Sequence, residues 1–268
     1  TIKVANYSEK DMKSAKVSWT LKNSKNEIVT EGSGISDLPQ GRLTSLPEIQ
    51  IDLSPVQKAE KTILIIKIED SEYENSYHLW IYPSDTDTTV PDGIMISENI
   101  DNKTIDFLQS GGRVLLFPEF NDIREQSVGG LFISDYWNYR MFKGISEANK
   151  KPVSPGTMGI LTDPSHPVFM NFPTEFHSNW QWWPVVKNSR PFILDNTPAG
   201  YKPIVQVIDN IERNHKLGLI FEFSVGKGKL LVCMSDLRKL KEKPEARQLY
   251  SGLLEYVSSD SFNPKYPL

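Results

Sequence analysis

Through the first eighty residues, apolar side chains recur at every second position. Val17, Trp19 and Leu21 alternate with Ser18, Thr20 and Lys22, the spacing of a strand with one buried face. Asn23-Ser-Lys-Asn26 is a turn cluster, and Glu27-Ile-Val-Thr-Glu-Gly32 predicts the returning strand of a hairpin. Ile49, Ile51 and Leu53 alternate again, as do Ile63 and Ile65, and then Tyr77, Leu79 and Ile81. About six short strands separated by turn signals predict an antiparallel β-sandwich over residues 1–83.

Ser84-Asp-Thr-Asp-Thr-Thr-Val-Pro91 is polar and ends in proline, a linker composition. Beyond it the period changes. Gly93-Ile-Met-Ile-Ser97 is a continuous apolar run, as in a strand covered on both faces. Asp101 can cap a helix carrying Ile105, Phe107 and Leu108, and Gly111-Gly112 can stop it. Arg113-Val-Leu-Leu-Phe-Pro118 then completes a β–α–β unit, which predicts a parallel sheet with helical cover over residues 92–268. Residues 119–190 read as a long, aromatic, helix-poor insertion that contains Tyr136-Trp-Asn-Tyr139. Strands resume at Pro203–Ile208, Leu217–Phe223 and Lys229–Met234, and the tight turn Val225-Gly-Lys-Gly228 predicts an antiparallel hairpin of the last two at the sheet. Leu249, Leu253, Leu254 and Val257 share one face of a closing helix from about Pro244 to Ser258.

Composition narrows the function classes. The 268 residues carry a formal charge of −4, with acids and bases interspersed. No basic stripe is present to neutralise a run of phosphates, which argues against nucleic-acid binding. No apolar run approaches the ~20 residues of a membrane span. The single cysteine, Cys233, excludes an internal disulfide. The first module therefore reads as an immunoglobulin-like sandwich without the cysteine pair of antibody domains, held by packing alone. Trp19 and Trp80 suit its core or sheet interface, and His78 suits solvent or a domain neighbour. The opening Thr1-Ile-Lys-Val-Ala-Asn, with neither an initiator methionine nor a signal peptide, reads as a piece of a longer polypeptide.

The densest chemistry lies in Phe169-Met-Asn-Phe-Pro-Thr-Glu-Phe-His-Ser-Asn-Trp-Gln-Trp-Trp183, which holds half of the six tryptophans. Indoles interleaved with amides suit a surface that stacks on a sugar ring while hydrogen-bonding its hydroxyls. His177, Asn179, Trp180, Gln181, Trp182 and Trp183, with Arg213 from farther along, are the candidate carbohydrate contacts. The same composition fits a loop pinned down by its indoles, its polar groups capping backbone ends. Catalytic signals are sparse. Cys233 sits inside an apolar strand, where a thiol stays protonated. Gly111-Gly112 follows a helix and precedes a strand, the reverse of a dinucleotide fingerprint. Asp163 and His166 are three apart in a proline-rich turn, with no second cluster to complete a metal site. Glu119, Glu175 and Glu222 are individual carboxylates that sequence spacing cannot pair. No catalytic residue, metal or cofactor is expected.

Phe172-Pro-Thr-Glu-Phe-His-Ser-Asn-Trp-Gln-Trp-Trp183, together with Tyr201–Asp209, Arg213-Asn214, Leu217–Glu222 and Gly226–Cys233, resembles the C-terminal region of glycoside hydrolase family 2 proteins. The resemblance is to β-galactosidase-like members of gut Bacteroidota and covers essentially the whole chain. It implies an accessory region: an immunoglobulin-like domain followed by an α/β, flavodoxin-like domain similar to class I glutamine amidotransferases. The cysteine elbow of active amidotransferases is missing, as are the barrel and paired glutamates of the hydrolase. The resemblance implies that glycosidase activity belongs to upstream catalytic domains of the same polypeptide, which would be the main partner beside a carbohydrate. A periplasmic, cell-surface or secreted setting is implied too, and self-association is compatible with it. An independent carbohydrate-binding module and a free-standing amidotransferase- or hydrolase-like enzyme are the rival readings.

Overall fold

A computed structural model describes residues 1–46, 48–54, 56–129, 139–151, 157–211 and 213–268. The chain forms two compact units, Thr1–Pro83 and Ser84–Leu268. Sheets dominate both, with helices confined among the described residues to the second.

The first unit holds β1 (Lys3–Asn6), β2 (Met12–Lys22), β3 (Ile28–Leu38), β4 (Arg42–Ser45), β5 (Glu60–Ile68) and β6 (Glu74–Ile81). β3-β2-β5-β6 form a four-stranded antiparallel sheet, and β1 pairs with β4. Register puts Val17 opposite Gly34 and Ile68, and Trp19 opposite Gly32 and Ile66, so the two-residue period buries one face. Val17, Leu38 and Leu46 form the core there, with Val4, Met12 and Ile66 packed against them. Gly32 is required by its neighbour: a methyl at that position would stand 2.6 Å from Cζ2 of Trp19. The β2–β3 turn closes through Asn23, whose side chain accepts from the backbone N–H groups of Lys25 and Glu27. Asn26 takes the left-handed conformation there, at φ +65°. Trp80 is half-buried with Lys61 Nζ 5.8 Å from its ring, and His78 is exposed.

The alternation of Ile49, Ile51 and Leu53 does not produce a strand. Residues 48–54 are irregular; Asp52 accepts from the N–H of Ser54 at 2.9 Å, and Val56 N–H bonds to Leu53 O. Local side-chain bonding to the backbone competes with a ladder. Prolines at 47 and 55 also deprive the segment of donors at both ends.

The second unit is built on β7 (Ile94–Ser97), α1 (Asn102–Gln109), β8 (Arg113–Leu116), α2 (Tyr139–Ala148), β9 (Gly159–Thr162), α3 (Trp183–Lys187), β10 (Phe192–Ile193), β11 (Val205–Ile208), β12 (Lys216–Val225), β13 (Gly228–Cys233) and α4 (Pro244–Ser258). The sheet runs β7-β8-β13-β12-β11-β9, with β10 added on β12. Asp101 caps α1 by accepting from the N–H of Thr104 at 2.8 Å, and Gly111, at φ +99°, ends it. α4 buries Leu249, Leu253, Leu254 and Val257.

Two expectations change. The sheet is mixed rather than parallel: β7, β8 and β13 run parallel, whereas β11, β9 and β10 add further antiparallel pairs to the expected β12–β13 hairpin. The reversal is made at Gly226, whose φ of +59° permits the tight β12–β13 turn. Residues 119–190 are also not one helix-poor insertion. The segment contributes β9 to the sheet and contains α2 and α3. Tyr136-Trp-Asn138 lies outside the described residues.

Candidate functional site

The aromatic loop is fixed at three places. Edge strand β9 holds it through Thr162, whose N–H donates to Phe176 O and whose Oγ1 donates to Glu175 O at 2.6 Å. Ser178 Oγ accepts from the N–H of Ile160 at 2.9 Å. Helix α4 holds it through Asn171, whose carbonyl accepts from Gln248 Nε2 at 2.8 Å while its amide donates to Glu255. The third anchor is internal. Trp182 is fully buried, edge-on to Phe172 at 5.3 Å and to Phe169 at 6.0 Å between ring centroids. Its indole N–H donates to Thr174 Oγ1 at 2.8 Å, so the one polar atom of the ring is satisfied.

These anchors divide the expected carbohydrate contacts. Gln181 and Trp182 are withdrawn from them: both are buried, and Gln181 Nε2 donates to Pro173 O at 2.8 Å. Arg213 is likewise engaged by protein. Its guanidinium bonds Asp209 through Nε and Nη2, the latter at 2.6 Å, and the Asp209 side chain is 1 % exposed. Asp209 also accepts from the N–H groups of Asn210 and His215, and the cluster shapes the β11–β12 turn. Asn179 is half-buried, with Nδ2 3.4 Å from Glu175 Oε2. His177, Trp180 and Trp183 face outward. Trp180 is 82 % exposed and Trp183 44 %, and the His177 ring meets Phe176 edge-on at 4.8 Å. A short 3-10 turn, Trp180–Trp182, runs into α3 at Trp183. With three residues per turn, Trp180 and Trp183 share the outward side while Gln181 and Trp182 are turned inward. Adjacency in sequence does not reveal which indole is which.

The other singled-out residues find structural roles. Cys233 is wholly buried, its thiol donating to Ser235 O at 3.2 Å, and burial pushes its pKa up to about 12. Asp163 closes the turn before His166 by accepting from Ser165. His166 Nδ1 accepts from the N–H of Val168 and caps the next turn, while burial lowers the His166 pKa against the opposing pull of Asp163. Among the described residues no group of three or more His, Cys, Asp or Glu is placed to hold a metal, and no helix is long and apolar enough to cross a membrane.

Glu119 lies after β8, 3.5 Å from Lys239 Nζ, within an ion-pair network at the carboxyl ends of β7, β8 and β13. Arg238 joins Asp236 and Glu98 there, each at 2.7 Å. This network was not legible in the sequence, because its members come from three separate strand ends. Glu222 faces α4, accepting from Tyr256 Oη at 2.8 Å. Burial raises its pKa above the ordinary 4.5, although the Tyr256 bond and Lys229 pull it down. The folded state thus retains a proton that the unfolded chain has lost. Stability from this group is full below the ordinary value and declines as pH rises through the folded one. Glu222→Gln should therefore flatten the pH dependence: its melting temperature should gain on the parent's between about pH 4 and about pH 7. An unchanged difference across that range would show that Glu222 titrates alike in both states.

The structure thus defines a two-unit, sheet-rich chain whose second unit presents a braced aromatic loop at a sheet edge. The chain belongs to the family described as Domain of unknown function (DUF8487), whose profile matches residues 95–268. A second profile, Domain of unknown function (DUF8488), matches residues 1–83. No curated protein matches the chain.

Proposed function

We propose that this chain is a non-catalytic accessory region of a family 2 glycoside hydrolase of β-galactosidase type, acting by packing and by contact with carbohydrate. The observation that carries the reading is the exposed indole of Trp180 on a loop braced by Trp182, Thr162 and Asn171. A flat apolar face held still in water loses little conformational freedom when a sugar ring stacks on it. His177 and Trp183, also outward, would extend the contact, with hydrogen bonds from the imidazole to hydroxyls. The bond-breaking groups would reside in upstream catalytic domains, in a periplasmic or cell-surface setting. In this reading the first unit is an immunoglobulin-like sandwich, supported by its four-plus-two antiparallel strands. The second is a variant of the amidotransferase-like α/β fold, supported by the parallel trio β7, β8 and β13.

Calorimetric titration of the isolated chain with a panel of galactosides and plant oligosaccharides tests the proposal. Saturable binding is expected, with Trp180→Ala weakening it about tenfold or more, since a stacked ring contributes on the order of 1–3 kcal/mol. The same substitution should leave the melting temperature nearly unchanged, because the ring is 82 % exposed. Tight binding by the chain alone would favour an independent targeting module. Absence of binding to any glycan would leave only the packing role.

A further inference from the structure

The sheet of the second unit has one face covered by α4, where Phe117 meets Tyr250 and Glu222 meets Tyr256. The opposite face contains a recess of about 550 Å³. Its floor is Leu116 of β8, Phe221 and Phe223 of β12, and Leu230, Val232 and Met234 along β13 and just beyond. These residues alternate with the ones beneath α4, as a pleated sheet demands. Helix α1 packs on this same face at one end. A methyl on Gly228 would lie 2.3 Å from Leu108 O, so helix and strand approach to backbone contact. Strand β10 supplies another wall through Phe192 and Ile193.

The recess reaches the carboxyl ends of β7, β8 and β13, the edge of an open α/β sheet at which ligands are received. Its volume lies within the range of small-molecule sites. The rim has a chemistry unlike the floor. Glu98 and Asp122 bring carboxylates, and Glu98 is already engaged by Arg238 at 2.7 Å. Asn99 and Asn196 stand exposed, and their side-chain amides make no hydrogen bond among the described residues. No lysine or arginine lines the recess among those residues.

We propose that the recess binds a small neutral amphiphile, an alkyl or aryl group carrying a hydroxyl-rich head. The apolar part lies on the floor, and the head reaches the free amides of Asn99 and Asn196. An anionic head is disfavoured because it would meet the carboxylate of Asp122 and no lining cation, the nearby Arg238 being already paired with Glu98. This site is independent of the Trp180 surface and does not rest on the sugar-stacking reading.

The test is methyl NMR of the full chain titrated with octyl glucoside below micelle formation, with octanoate and glucose as separate arms. Octyl glucoside should shift the methyl signals of Leu116, Leu230, Val232 and Met234 saturably, with a Kd on the order of 0.1–1 mM. Octanoate should bind about tenfold more weakly or less, and glucose should leave those methyls unmoved. Val232→Phe, which fills the floor, should abolish the shifts, and Trp180→Ala should preserve them. Absence of saturable shifts at these methyls up to about 5 mM would overturn the site. Octanoate binding as tightly as octyl glucoside would overturn the assignment of a neutral head. Both of these results are read on the unsubstituted chain, so they hold even if Val232→Phe fails to fold.

Discussion

Trp182→Ala is expected to lower the unfolding free energy of the second unit by about 3–5 kcal/mol, the range for removing a large aromatic from a core. The ring is fully buried, and its edge-on contacts with Phe169 and Phe172 cannot be replaced by a small side chain. Thr174 Oγ1 also loses its donor, leaving a half-buried hydroxyl to find another. Urea denaturation followed by far-UV circular dichroism reads the loss. Trp182→Phe separates the contributions: it keeps most of the packing and loses the indole N–H, so its cost should be about 1–2 kcal/mol. A fall of less than about 1 kcal/mol for the alanine variant would mean that the loop's interior is not the anchor described.

Arg213→Ala is the second large effect. Asp209 is nearly sealed from solvent, and the guanidinium is the cation bonded to its carboxylate. Removing one member of such a pair leaves the other uncompensated, at a cost of about 3 kcal/mol. Backbone donors from Asn210 and His215 remain and hold the loss below that of a naked buried charge. Arg213→Met combined with Asp209→Leu should recover only part of the loss: it removes both charges, but the N–H groups of Asn210 and His215 lose their acceptor. Denaturation midpoints of Arg213→Met, Asp209→Leu and the double variant complete the cycle. If Arg213→Ala instead weakened glycan binding and spared stability, Arg213 would be a contact residue and the structural assignment would be wrong.

Both substitutions concern residues whose sequence context suggests a ligand surface and whose side chains serve the interior or a turn. The local elements were legible. Asp101 and Gly111 mark the two ends of α1, and the four aliphatic positions of α4 mark its buried face, because caps and periodicity are properties of neighbouring residues. The aromatic loop as a unit could also be recognised from its composition. Which of its indoles faces water could not. That choice is made by Phe169, Phe172 and Thr174 closing around Trp182, a matter of three-dimensional packing. The antiparallel pairings beyond the β12–β13 hairpin were hidden for a similar reason. An apolar run such as Val205–Ile208 reads alike whichever way its neighbours run. Alternation misled at Ile49, Ile51 and Leu53, where side-chain bonding within the segment prevails.

The order of strands also constrains how the second unit is made. In β8, Arg113 is paired with Lys229, far along the chain, whereas β7 and α1 are its immediate predecessors. On the ribosome, the β7–α1–β8 piece must therefore emerge and wait, one side of β8 unpaired, until almost all of the domain has been synthesised. That interval is when a chaperone or a stray strand has access to Val114 and Leu116, and assembly of the sheet's centre is tied to a strand that comes late within the domain.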